Sequence, residues 1–215
     1  MGAVGLLYVG AVLFINGVML LGWVEAKSAA PMNIFVGGMQ VVTPTFLIFT
    51  ASGPPAVVQN TILGASGLYL FGFTYLYVAF NLFGNLDGTG LGYFSLFVAI
   101  CAVVFAYLNF GRFNDNTFGV IWLSWAFLWF LFFLLLGRGQ TGLTRYTGAV
   151  AAIEGWVTGA IPAFLLLTGH WGESDTARAI GLAVFMVIVF GVLYPRLRSS
   201  TPAASSTSVD TPQPA

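Results

Sequence analysis

Apolar residues run along this chain in long blocks with no polar alternation, and seven of the blocks are long enough to cross a bilayer. They lie near 2–24, 32–50, 62–83, 91–110, 118–137, 146–168 and 177–195. A spanning helix needs about 20 predominantly apolar residues, because backbone N–H and C=O groups must pair within the segment once water is gone. A transmembrane β-barrel would instead show strands of about ten residues with strict alternation. The pattern therefore predicts an all-α integral membrane protein, a bundle of six transmembrane helices plus a seventh C-terminal helix. Short polar stretches mark the breaks: Glu25 to Ser28, Ser52 to Pro55, Asn85 to Gly88, Arg112 to Asp115, Arg138 to Arg145 and His170 to Asp175. No basic stretch precedes the first block, so it is read as a retained helix and not a cleaved signal. From Ser199 onward the chain is mostly Ser, Thr, Pro and Ala, too poor in apolar surface to fold. The expected organisation is a bundle over 1–171, a seventh helix within 172–198, and a disordered cytoplasmic tail over 199–215.

Composition narrows the class further. Of 215 residues, 58% are hydrophobic and only 7% are charged, against about 25% charged in a soluble domain. A soluble enzyme is excluded, and a formal net charge of zero argues against nucleic acid as a partner. The single cysteine, Cys101, sits in an apolar run, and there is one histidine, His170. No disulfide framework, metal site or cofactor is expected. Basic residues collect on the cytoplasmic side of a membrane. An outside N-terminus places Lys27, Arg138, Arg145, Arg196 and Arg198 inside and only Arg112 and Arg178 outside, so the expected topology in the cytoplasmic membrane is N-out, C-in.

Polar groups at depth are costly and usually face a bundle interior or water-filled cavity. Glu154 is the only charged residue well inside a span. It reads either as a protonated carboxyl bonding a neighbouring helix or as a pore group. Trp122, Trp125 and Trp129 share one face at i, i+3, i+7, reaching about 10 Å along the helix. They are either a lipid-facing stripe or a lumen wall. In the third span Phe73, Tyr77 and Asn81 share a face, and in the first Asn16 shares one with Val9 and Leu13. Gly37, Gly38, Gly155 and Gly159 read as helix-packing contacts. Together these describe one lumen with aromatic walls, a few neutral hydrogen-bonding groups and one carboxyl.

An ion channel would present rings of carbonyls or charges. Aromatic walls suit planar neutral solutes, since an amide or urea can lie flat on indole and phenol rings while its edges exchange water for side-chain partners. Retinal binding fails, because Lys27, the only lysine, lies in a loop. An intramembrane hydrolase lacks a nucleophile and base or a metal-ligand set, so no catalytic residues are expected. Proton-coupled transport through Glu154, and a receptor that transports nothing, stay open.

The strings Leu7-Tyr8-Val9-Gly10 with Asn16-Gly17, Met32 to Gly38, Gly72 to Tyr77, Ser95 to Ile100, the tryptophan cluster, Ala152 to Gly155, Ile161-Pro162-Ala163 and His170-Trp171 together resemble the AmiS/UreI family of urea channels and short-chain amide transporters. The resemblance runs from residue 1 to about 171. It implies a six-helix twisted bundle with its own pore in each protomer, a homohexameric ring with lipid in its centre, and urea or a short-chain amide as solute. The matching pore positions are Val9, Leu13, Phe73, Tyr77, Trp122, Trp125, Leu128 and Trp129, with Glu154 as a polar lumen residue. The acid-gated members carry histidines and carboxylates in their outer loops. Here the loop near 51–61 has no titratable residue, and the one near 111–117 has only Arg112 and Asp115. The expected function is passive, pH-independent permeation feeding a cytoplasmic urease or amidase, with a proton-coupled transporter using Glu154 as the alternative.

Overall fold

A computed structural model describes residues 2–172 and 175–199; most of the expected tail, 200–215, lies outside the described residues. Among the described residues, seven helices are long and apolar enough to cross a membrane: α1 (Gly2–Leu20), α2 (Ala26–Phe49), α3 (Pro55–Gly84), α4 (Thr89–Phe113), α5 (Asn116–Gly137), α6 (Thr141–Leu167) and α7 (Asp175–Leu197). No strand occurs among the described residues. Several helices outrun the apolar blocks that reveal them. α3 begins at Pro55, seven residues ahead of its block, because proline at the first helical position gives up an N–H that has no partner there anyway. α1 ends earlier than its block, and Gly22 turns the chain at φ 85°.

The first six helices form a ring around a lumen. α2 packs on α3, α4 on α5, and α6 closes the ring against α1. Glycine makes the last contact possible. A Cβ on Gly10 would sit 2.5 Å from the Gly155 carbonyl oxygen, and one on Gly17 would sit 2.4 Å from the Ala152 nitrogen. These are backbone atoms with nowhere to move, so α1 and α6 touch main chain to main chain, as small-residue interfaces in membranes allow. Gly155 and Gly159 lie in this seam and Gly37 in the α2–α3 seam. Gly38 has open space around its Cβ position, so its expected packing role is not found.

α7 lies outside the ring against α5 and α6. It buries Ala179, Met186 and Phe190, one face at i, i+7, i+11. Phe190 stacks on Phe127 at 5.9 Å, and its carbonyl accepts from the Tyr146 hydroxyl at 3.2 Å. The N-terminal end of α7 is tied to the start of α5. Asp175 accepts from the Asn116 and Thr117 amides, each at 2.9 Å, and from the Thr117 hydroxyl at 2.6 Å. Asp115 accepts from the Phe118 amide at 2.8 Å and the Trp171 indole at 2.7 Å. The first three amides of α5 are thus all satisfied by carboxylates at the positive end of its dipole. Arg178 lies over Trp171 at 4.3 Å, donates to the Trp171 carbonyl, and sits 3.7 Å from Asp175.

Candidate functional site: an aromatic-walled lumen

The inner wall of α3 is built from Gly67, Phe71, Thr74 and Tyr75, all buried. Phe71 stands at its centre. Its ring centroid is 4.7 Å from Trp125, 4.8 Å from Trp129 and 5.8 Å from Trp122. Trp122 in turn stacks on Phe105 of α4 at 4.6 Å. Gly67 makes room for this stack, since a Cβ there would lie 3.1 Å from both rings. Four aromatic side chains from α3 and α5 therefore fill the middle of the ring in edge and tilted contacts, the arrangements their quadrupoles favour.

Two cavities meet at this plug. A vestibule of about 400 Å³ opens toward the N-terminal ends of α1 and α5 and is lined by Val9, Gln40, Phe113, Phe118 and Trp122 among others. On the other side lies a chamber of about 30 Å³, lined by Leu13, Asn16, Tyr75, Ser95, Leu128 and Trp129 among others. Phe71 and Trp125 belong to both walls, so they form the partition. A water needs roughly 10–15 Å³ of such space, which makes the chamber a fit for two waters or one molecule of a few heavy atoms. Neither cavity is lined by a charged side chain among the described residues.

Hydrogen bonds hold the partition in place. The Trp125 indole donates to the Thr158 hydroxyl at 2.9 Å, and that hydroxyl donates to the Glu154 carbonyl at 2.6 Å. Thr158 lies in a π-helical turn, Gly155–Ala160, that begins just after Glu154. Such turns occur often at functional sites. Glu154 itself is fully buried, and neither carboxyl oxygen has a hydrogen-bond partner. It lines neither cavity.

Among the residues singled out from sequence, Val9 and Trp122 line the vestibule, Leu13, Asn16, Leu128 and Trp129 the chamber, and Trp125 both. Phe73 and Tyr77 require correction. Phe73 is half exposed and stacks on Tyr69, whereas the Tyr77 hydroxyl abuts Gly90 at the start of α4. Two residues along a helix amount to about 200° of rotation, which turns Phe73 and Tyr77 away from the face of Phe71 and Tyr75. Glu154, expected as a polar lumen residue, is fully buried and lines neither of the two cavities. Phe71, Tyr75, Ser95 and Gln40 were missed, and each is an ordinary residue in its span that only the packing marks out. No cluster of three metal-ligating side chains occurs among the described residues.

Comparison with known proteins is consistent with this architecture. The sequence model of the AmiS/UreI family transporter matches residues 1–170. The chain belongs to the AmiS/UreI family. Membership makes it a multi-pass membrane transporter and not an enzyme. A candidate amidate substrates transporter of Mycolicibacterium smegmatis is 51% identical over 215 residues, covering 100% of this chain and 97% of that one. The acid-activated urea channel of Helicobacter pylori strain J99 is 37% identical, covering 77% of this chain and 97% of that one. Among solved structures, the cryo-electron microscopy structure of the H. pylori urea channel in its closed state matches with a TM-score of 0.71 and 37% identity. It covers 80% of this chain and 100% of that one. The alignment with the M. smegmatis relative therefore spans the residues of α7 as well as residues 1–170.

Proposed function

We propose that this protein is a passive channel for urea and small aliphatic amides, working independently of pH and supplying a cytoplasmic amidase or urease. The observation that carries the reading is the pair of in-line cavities parted by Phe71, Trp122, Trp125 and Trp129 with no charge on either lining. An ion entering there would shed its water without replacement, at a cost of several kcal/mol. A planar amide keeps dispersion contact with the rings and meets neutral donors and acceptors on the far side. The proposed pore set is Val9, Leu13, Asn16, Trp122, Trp125, Leu128 and Trp129, joined by Phe71 and Tyr75, with Glu154 as a buried polar group. Passage requires the rings of the partition to swing apart, since the chamber holds so little.

Independence of pH rests on the stretch 51–61, the α2–α3 turn and the start of α3, which bears no titratable side chain. The proposed topology, N-out and C-in, rests on the basic residues and puts the vestibule outside. A homohexamer with lipid at its centre rests on the family resemblance, and native mass spectrometry of the detergent-solubilised protein tests it. For the function, purified protein in liposomes is shrunk with urea, acetamide or glycerol and the re-swelling followed by light scattering. The channel reading expects urea and acetamide to enter well above protein-free liposomes, at equal rates with the outside at pH 5 or 7. Accumulation above equilibrium driven by a proton gradient would establish coupled transport instead, and flux that rises strongly at pH 5 would establish an acid gate.

A further inference from the structure

One polar contact in the membrane interior is not explained by the lumen alone. Asn16 of α1 and Asn33 of α2 form a reciprocal amide pair. The Asn16 Nδ2 donates to the Asn33 Oδ1 at 2.9 Å, and the Asn33 Nδ2 donates back to the Asn16 Oδ1 at 2.7 Å. Asn33 is wholly buried and also donates to the Ala29 carbonyl at 3.0 Å. Both hydrogens of its amide nitrogen are therefore used. Turning the Asn33 amide over would set its oxygen against the Ala29 oxygen, so its orientation is fixed by its own helix. That in turn fixes Asn16. One N–H and one lone pair of Asn16 remain beyond the pair, on a residue that lines the chamber.

We propose that Asn33 is a positioning residue that presents the Asn16 amide to the chamber as a recognition group for the N–C=O unit of a passing solute. The inference rests on the amide and urea channel reading. An amide pairing with an amide uses one N–H and one carbonyl on each side, and the Asn16–Asn33 contact shows that geometry built into the protein. A primary amide or urea can satisfy the remaining N–H and lone pair together. A polyol of similar size, such as glycerol, has hydroxyls with no such fixed edge. Because the chamber is too small for a solute to travel with its own water, the match at Asn16 decides passage. Asn33 acts only through Asn16, for it lines neither cavity.

The test measures the urea-to-glycerol flux ratio in liposomes, a quantity that does not change with the amount of folded protein. Wild type, Asn33→Ala and the paired Asn16→Leu/Asn33→Leu are compared, with thermal unfolding of each measured in parallel. The paired variant replaces both partners by apolar groups of similar size, a change that is close to neutral for a buried hydrogen bond, and so keeps the fold where a single truncation destabilises it. We expect both variants to lose roughly tenfold in the ratio, corresponding to about 1.4 kcal/mol. A ratio within twofold of wild type in the folded paired variant overturns the role of the pair. A wild-type ratio near one is a separate failure, that of the amide channel reading itself.

Discussion

The connection between α7 and α5 yields a prediction whose size follows from the hydrogen bonds. Asp175→Ala removes the acceptor for the Asn116 amide, the Thr117 amide and the Thr117 hydroxyl. A helix N-cap is worth about 0.5–2 kcal/mol, and a hydrogen bond to a charged group about 1.5–3 kcal/mol. The three bonds share one carboxylate whose side chain is 25% exposed, so water takes over part of each. The local loss is then about 2–3 kcal/mol, well below the sum of the parts. At 1.4 kcal/mol per decade, amide exchange at Asn116 and Thr117 quickens by roughly 30- to 150-fold. Hydrogen exchange read by mass spectrometry on the detergent-solubilised protein measures this, with an α1 peptide as the internal reference. Asp175→Asn keeps an acceptor but loses the charge, and is expected between the two. Exchange at residues 116–118 within threefold of wild type in Asp175→Ala would show that the N-terminal end of α7 does not hold α5.

Three further outcomes are expected. Gly10→Ala puts a Cβ 2.5 Å from the Gly155 carbonyl oxygen and is expected to cost about 1–3 kcal/mol through overpacking. Gly38→Ala, with open space, is expected to be neutral or to stabilise by up to about 1 kcal/mol; thermal unfolding of the two variants separates them. Phe71→Ala and Trp129→Ala open the partition and are expected to lower the urea-to-water selectivity about tenfold, the scale of packing discrimination in a pocket. Phe73→Ala is expected to match wild type in the same liposome assay. At the α3–α4 turn, the Thr89 hydroxyl and amide bind Asp87 at 2.7 and 2.9 Å, and these bonds lower its carboxyl below the usual 3.8. A depressed folded value means that their contribution is complete above the ordinary pKa and lost as pH falls through the folded one. Titration of the Asp87 side chain by NMR is expected to give a midpoint under 3.8 that rises in Thr89→Val.

The course of the chain through the bilayer was readable because hydrocarbon imposes a length and forbids unpaired backbone. Helix ends were not, since a helix does not stop where hydrocarbon does. Glu25 to Ser28 reads as a break, yet α2 starts at Ala26, and Pro54-Pro55 reads as a turn, yet Pro55 opens α3. Charge and proline end a helix by withholding backbone pairing or by seeking water, and at a membrane surface water is near enough to serve both. The docking of α7 was equally hidden. Asp175 and Thr117 are 58 residues apart, and no periodicity links them.

The lumen shows where legibility ends. In a soluble helix the polar side announces which face is buried, but in lipid both sides are apolar and the signal vanishes. The three tryptophans could be placed on one face because their spacing is helical and the type is rare, with six in the chain. Phe71 and Phe73 differ by nothing the sequence can display, for phenylalanine occurs 21 times, and choosing between them needs the neighbour that fills the space. Trp125 supplies that neighbour at 4.7 Å. The same holds for polar groups: nothing in the sequence links Asn16 with Asn33, and their mutual pairing, with Ala29 as the anchor, is a property of two helices at once. A neutral pore therefore conceals its chemistry more fully than a charged one. A charge at depth stands out in the sequence by its cost, as Glu154 does, whereas an amide or a ring gains its role only from what faces it.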